Sequence, residues 1–193
     1  MLISIDSKIW GPYTWYFMHQ VAFRLPQNYN ELRQEIRDLL KKFYTSIRFL
    51  LPCPSCQKHY GLTLNQYPIS KYNTSGIRIA KWMVNSHNLV NKGLKKKVYT
   101  YEEARKIQVG KGLSTIDYSK LDMCMKYILE MSTDKPLSHR KIVAKCIVKL
   151  YPCPKYRPTL INYMNKNQLQ KVKTANEMNK WSKNLRMVLL HLC

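Results

Sequence analysis

The chain has 193 residues, enough for one domain with a proper core or for a compact domain with a smaller appendage. An apolar fraction of 45% with 11% aromatic residues excludes a disordered polypeptide, and six cysteines, one close pair and four scattered, are too few for a disulfide-framework scaffold. The formal net charge of +22 is spread evenly, with 17 basic against 6 acidic residues in 1–109 and 16 against 5 in 110–193. Solvated surfaces on a Lys- and Asn-rich composition are the simplest account of it. Attraction to nucleic acid, an anionic surface or an acidic partner is the alternative, although no DNA-binding motif accompanies the charge. Met1 to Trp10 lack the basic start and apolar core of a signal peptide, and no run approaches the length of a membrane span, so a soluble protein is expected.

An aromatic-rich helix is predicted from Tyr13 to about Arg24, ended near Pro26. A long amphipathic helix from Asn30 to about Leu50 follows, its Leu32, Ile36, Leu39, Phe43 and Ile47 recurring at three- and four-residue steps. Pro52 stops it. Pro54 suits the first turn of a third helix, Cys53 to about Leu64. Thr74 or Ser75 can cap a fourth helix that carries Ile79, Trp82, Met83, His87, Val90, Asn91 and Leu94. Thr100-Tyr101-Glu102-Glu103 has capping-box spacing and opens a short fifth helix to about Gln108.

Gly110-Lys111-Gly112 is the best boundary, dividing 1–109 from 110–193. Helix-like stretches then appear at about Tyr118–Met131, Ser138–Leu150, Thr159–Asn167 and Ala175–Leu190. Within them Leu150-Tyr151-Pro152-Cys153-Pro154 echoes Leu50-Leu51-Pro52-Cys53-Pro54, with Tyr156 where a second cysteine would stand. A chance helix break is the simpler account of the echo, and a degenerate repeat the other.

Chemistry concentrates at Cys53-Pro54-Ser55-Cys56. Two thiols at this spacing lie close enough to form a disulfide, and a helix N-terminus lowers the pKa of a cysteine placed on it. Alone, the motif fits either a redox dithiol or half a zinc site. Trp15 and His19 share one helical face, as do His87 and Asn91, and each pair offers a flat ring beside hydrogen-bonding groups.

The order W-x-x-x-H, C-x-x-C, H-N-x-V-N resembles the Erv/ALR family of FAD-linked sulfhydryl oxidases over roughly Ile9 to Val109, most closely the versions carried by large DNA viruses. The resemblance implies an all-α fold: a four-helix bundle with a short fifth helix holding FAD, followed here by a mostly helical C-terminal extension of unknown role. It implies that Cys56 is the flavin-proximal thiol and that Cys53 exchanges with substrate. Gly11, Trp15 and His19 would come to the FAD site from the first helix, with His59 and Tyr60 beside the dithiol. His87, Asn88, Val90, Asn91, Leu94 and Lys96 would line it from the fourth helix, and Tyr101 would close it. The implied reaction oxidises dithiol proteins, or a thioredoxin-like relay protein, with O2 as final acceptor and H2O2 as product. A homodimer paired through the first helices, and action at viral assembly sites in the host cytoplasm or in the virion, are further implications.

Two departures stand out. Pro12 replaces an arginine of the cellular members, and the disulfide that braces their fourth helix has no cysteines here. Family members often carry a shuttle disulfide, for which Cys124, Cys146, Cys153 and Cys193 are the candidates. The rival function is a basic, non-enzymatic scaffold that binds nucleic acid, with zinc held by Cys53, Cys56, His59 and His87.

Overall fold

The computed structural model describes residues 6–28, 30–110 and 116–192, all of whose regular elements are helical. Helix α1 (Ser7–Phe23) starts six residues earlier than its aromatic pattern suggests, because the Asp6 carboxylate accepts from the Lys8 amide at 2.9 Å and caps it. Pro12 lies inside this helix and does not end it. Helix α2 (Gln34–Ser46) runs into a 3-10 turn, Ile47–Leu50. Helix α3 (Pro54–Gln66) and a short 3-10 turn at Ile69–Lys71 lead to α4 (Gly76–Gly93).

Ser75 holds the N-cap position of α4 without a side-chain cap bond. The close approach here is at Gly76, where a Cβ would stand 1.8 Å from the Pro26 carbonyl oxygen. Any side chain would push α4 away from the end of α1. Helix α5 (Tyr101–Val109) has the expected capping box: Thr100 Oγ1 accepts from the Glu103 amide at 3.1 Å, and Glu103 Oε2 from the Thr100 amide at 2.8 Å. Gly110 ends α5 at φ 49°, a conformation that favours glycine, while Lys111 and Gly112 of the expected boundary lie outside the described residues.

The second half contains α6 (Tyr118–Met125), extended by a π-helical turn Lys126–Glu130, then α7 (Leu137–Leu150), α8 (Arg157–Lys166) and α9 (Ala175–Leu190). It packs chiefly through α6 on α1 and α7 on α2, so residues from both halves share one continuous apolar core. Buried Arg140 of α7 donates to the Leu129 carbonyl and to Asn179 of α9, satisfying its charge with oxygens of two neighbouring elements. Among the described residues no helix is long and apolar enough to cross a membrane.

Candidate active site

Sequence punctuation builds the dithiol. Leu51 leaves the 3-10 turn in extended conformation, Cys53 caps α3 at φ −139° and ψ 112°, and Pro54 enters at the first helical position. Cys53 and Cys56 are disulfide-bonded, with Cα atoms 5.2 Å apart. The Cys56 amide donates to Cys53 Sγ at 3.2 Å, so the more N-terminal sulfur sits on an unpaired helix-end N–H. Two bonds hold this turn in shape: Gln57 Nε2 donates to the Leu51 carbonyl at 2.8 Å, and Arg48 Nε to the Gln57 carbonyl at 2.9 Å. Gly61 gives Arg48 its path across α3, since a Cβ there would lie 2.2 Å from the guanidinium carbon.

Beside α3 runs a row of rings drawn from α1, α4 and α5. Trp15 stacks on His87 with centroids 4.1 Å apart and planes 5° from parallel. His87 Nδ1 and His19 Nε2 share a 2.9 Å hydrogen bond, His19 stacks on Phe23, and Phe23 on Tyr101. Tyr60 meets Trp15 edge-on. Burial pushes the His19 pKa down to about 3, with His87 nearby adding to the fall. Burial first and the Lys96 charge second push His87 down to about 4. Both imidazoles are therefore neutral at neutral pH, and one donates to the other.

The loop after α4 folds back on it. The Asn88 side chain donates to the Tyr99 carbonyl at 2.7 Å and accepts from its amide at 3.0 Å, while Asn91 Nδ2 donates to the Lys97 carbonyl at 3.1 Å. Lys95 adopts φ 53° at the turn. This places three successive exposed lysines at the C-terminal end of α4, near enough for Lys96 to bear on His87.

The ring row and the exposed lysines are of the chemistry that the flat rings and phosphates of FAD would need. His19 Nδ1 and the Tyr60 hydroxyl are buried without a protein hydrogen-bond partner, a cost of about 1–3 kcal/mol for each that a polar ligand would remove. At buried Gly11 a Cβ would meet nothing within 4 Å.

The structure brings Trp15, His19, Tyr60, His87 and Tyr101 into this row, and uses Asn88 and Asn91 to hold the lysine loop. Val90 is half-buried on α4, whereas His59 and Leu94 are exposed. Phe23 is the residue that sequence reasoning missed. It follows Trp15 and His19 at the same four-residue step, and that spacing was the available signal.

A zinc cluster is overturned. Cys53 and Cys56 are bonded to each other, His59 is exposed, and among the described residues no group of three or more His, Cys, Asp and Glu side chains could hold a metal ion. The distal thiols Cys124, Cys146 and Cys153 are buried and free. Burial raises the Cys124 pKa, and pushes that of Cys146 up to about 12, which leaves little thiolate for exchange. Cys193 lies outside the described residues.

The depressed histidines fix the sign of a pH effect. Below pH 6.5 the unfolded chain binds protons at residues 19 and 87 that the folded pair refuses until about pH 3 and 4 respectively. Stability of the flavin-free protein is fully present above pH 6.5 and falls on acidification, by up to about 1.4 kcal/mol per pH unit for each histidine. Urea denaturation at pH 7.5 and 5 should show this loss, and His19→Gln should reduce it. An unchanged pH slope in that variant would exclude the buried pair as its source.

A family model described as the Erv1/Alr family matches residues 12–109. Among curated proteins, the chain is 39% identical over 103 residues to "Probable FAD-linked sulfhydryl oxidase R368" of Acanthamoeba polyphaga mimivirus, covering 52% of this chain and 68% of the relative. It is 33% identical over 115 residues to the FAD-linked sulfhydryl oxidase of African swine fever virus (isolate Pig/Kenya/KEN-50/1950), covering 58% and 91%. It is 32% identical over 89 residues to the FAD-linked sulfhydryl oxidase ERV2 of Saccharomyces cerevisiae, covering 46% and 43%. No solved structure matches.

Proposed function

The chain belongs to the Erv1/Alr family, and from that premise we propose that Cys53 and Cys56 carry its reaction while the ring row between α1 and α4 holds its cofactor. It is an FAD-dependent thiol oxidase that forms disulfide bonds, with dioxygen as final electron acceptor and hydrogen peroxide as product. The observation that carries the site assignment is a disulfide capping α3 next to a neutral histidine pair with an unpartnered buried nitrogen.

A substrate thiolate attacks Cys53 Sγ, breaking its bond to Cys56, whose sulfur leaves as thiolate. The second substrate thiol, after losing its proton, displaces Cys53 and closes the substrate disulfide, leaving both protein cysteines reduced. The Cys56 amide pointing at Cys53 Sγ stabilises the negative charge that appears there when Cys53 leaves in the second exchange. When bound, FAD supplies the two-electron acceptor that receives this reducing pair and is restored by dioxygen. Trp15, His19, His87 and Tyr60 would hold its flat rings, with Gly11 leaving room, and Lys95, Lys96 and Lys97 would meet its phosphates. Val90 and Tyr101 complete the wall. His59 and Leu94, both exposed, serve as rim contacts in this assignment.

Purified protein should be yellow and should convert dithiothreitol and O2 to disulfide and peroxide. His87→Ala removes the stacking partner of Trp15 and the hydrogen-bond partner of His19 together. It should lower flavin affinity by about 2–3 kcal/mol, roughly 30- to 150-fold. Full flavin retention in that variant, read from absorbance after gel filtration, would displace the pocket.

The substrates we propose are dithiol proteins or a thioredoxin-like relay protein. The relatives from large DNA viruses support a viral enzyme, for which assembly sites in the host cytoplasm or the virion are the proposed places of action. The +22 charge supports contact with nucleic acid or an anionic surface. Homodimer pairing through the first helices would have to share α1 and α2 with α6 and α7, which pack on them.

A further inference from the structure

We propose that residues 116–192 are a second copy of the oxidase bundle that has lost its chemistry. In this proposal it occupies, within one chain, the face through which two copies would otherwise pair, so the enzyme works as a monomer with one flavin.

The order of elements repeats. The first half runs α1, α2, α3, the 3-10 turn Ile69–Lys71 and α4; the second runs α6, α7, α8, the 3-10 turn Leu169–Lys171 and α9. Leu50, Pro52, Cys53 and Pro54 recur one hundred positions on as Leu150, Pro152, Cys153 and Pro154. The local build recurs with them: Cys53 and Cys153 both hold an extended N-cap position with proline next in the helix. Six residues after Leu51, Gln57 donates back to its carbonyl at 2.8 Å; six residues after Tyr151, Arg157 donates back to that carbonyl at 2.7 Å. Burial follows the same offset, since Leu40, Phe43, Tyr44, Ile47 and Leu50 are all core, and so are Arg140, Val143, Ala144, Ile147 and Leu150. Lys81-Trp82 of α4 corresponds to Lys180-Trp181 of α9, each tryptophan buried. A chance break at one Pro-Cys-Pro would not carry the hydrogen bond, the burial register and the following helices with it.

The chemistry has not survived. Cys56 corresponds to Tyr156, Tyr60 to Leu160, His87 to Arg186 and Asn91 to Leu190. Where His87 joins α4 to His19 of α1, Arg186 joins α9 to α6 and its π turn, through both oxygens of Asp122 at 2.8 Å and through Glu130. A structural ion pair thus stands in place of the nucleotide-holding pair.

The two copies meet through corresponding helices, α1 with α6 and α2 with α7, as the two halves of an isologous contact do. Two contacts join α7 to α2 and to the 3-10 turn that follows it. Leu39 accepts from Cys146 at its carbonyl, and His139, the counterpart of Leu39, stacks on Phe49 with centroids 4.1 Å apart, three residues beyond Ser46, the counterpart of Cys146. On α1, Tyr13 stacks on Tyr127 and the Tyr16 hydroxyl accepts from the Asp117 amide at 2.7 Å.

Sedimentation equilibrium of the 193-residue chain over about a hundredfold range of concentration should give 23.0 kDa throughout. A concentration-dependent species of twice that mass would overturn the monomer. The double variant Phe49→Cys with His139→Cys should close a crosslink that leaves the chain at monomer mass on a non-reducing denaturing gel. A crosslink between two chains, or none, would overturn the in-chain pairing. The flavin count rests on the oxidase reading: two flavins per chain would defeat the claim that the second copy is inert. A monomer without any flavin would count against the oxidase assignment and leave the pairing standing.

Discussion

Cys53→Ser and Cys56→Ser should each cut turnover of a small dithiol by roughly three orders of magnitude or more, on the scale of losing a covalent nucleophile. Bound flavin should stay unchanged in both, because the ring row and the lysine loop stand without either thiol. The two variants should differ in what they accumulate. With Cys56 replaced, Cys53 keeps its place on the helix N-terminus beneath the residue 56 amide, and exchange with an oxidised dithiol reagent should leave a mixed disulfide at Cys53 visible by mass. With Cys53 replaced, Cys56 is the third residue of α3 rather than its N-cap and should label more slowly. Substantial turnover in both variants would take the dithiol out of the reaction. Equal labelling rates would remove the assignment of Cys53 as the entry thiol while leaving the dithiol in place.

The site was legible where chemistry is local in sequence. A proline stops a helix, a second proline starts one, and a cysteine between them must fall at the N-cap; that is chain geometry over four residues. The W-x-x-x-H and H-N-x-V-N segments likewise placed Trp15, His19, His87 and Asn91 on shared helical faces. Sequence alone did not show which faces meet. The His19–His87 hydrogen bond spans 68 positions and needs α1 and α4 in register, which Gly76 sets by letting α4 close on the Pro26 carbonyl. His59 carried the same promise as His19 in composition, yet it is exposed. The second half was harder for a physical reason. Its repeat survives more in burial and capping than in identity, which is confined to short stretches such as Pro52-Cys53-Pro54 and Pro152-Cys153-Pro154. A core position accepts Leu40 in one copy and Arg140, bonded to the Leu129 carbonyl and Asn179, in the other. Only the backbone brings such substitutions into register.

A chain ended at Gly112 should pair with a second copy of itself. Removing α6 to α9 strips the ring partners of Tyr13 and Phe17 on α1 and of Phe49 in the 3-10 turn after α2: Tyr127 from the first, Tyr151 from the second and His139 from the third. These side chains would then form an apolar stripe on the face where the two halves correspond, and covering it again is worth more than leaving it wet. The proposed flavin contacts all precede Gly110, so the shortened protein should keep its cofactor and oxidise dithiothreitol, now with two flavins in a particle of twice the truncated mass. Supplying residues 113–193 as a separate chain should convert that particle to a one-to-one complex with a single flavin, because the second copy competes for the same face. Light scattering with absorbance on the same column reads both mass and flavin. A truncated chain that stays monomeric, soluble and yellow would mean that α6 and α7 cover no pairing surface, and the duplication would then be a relic of sequence history without a part in assembly.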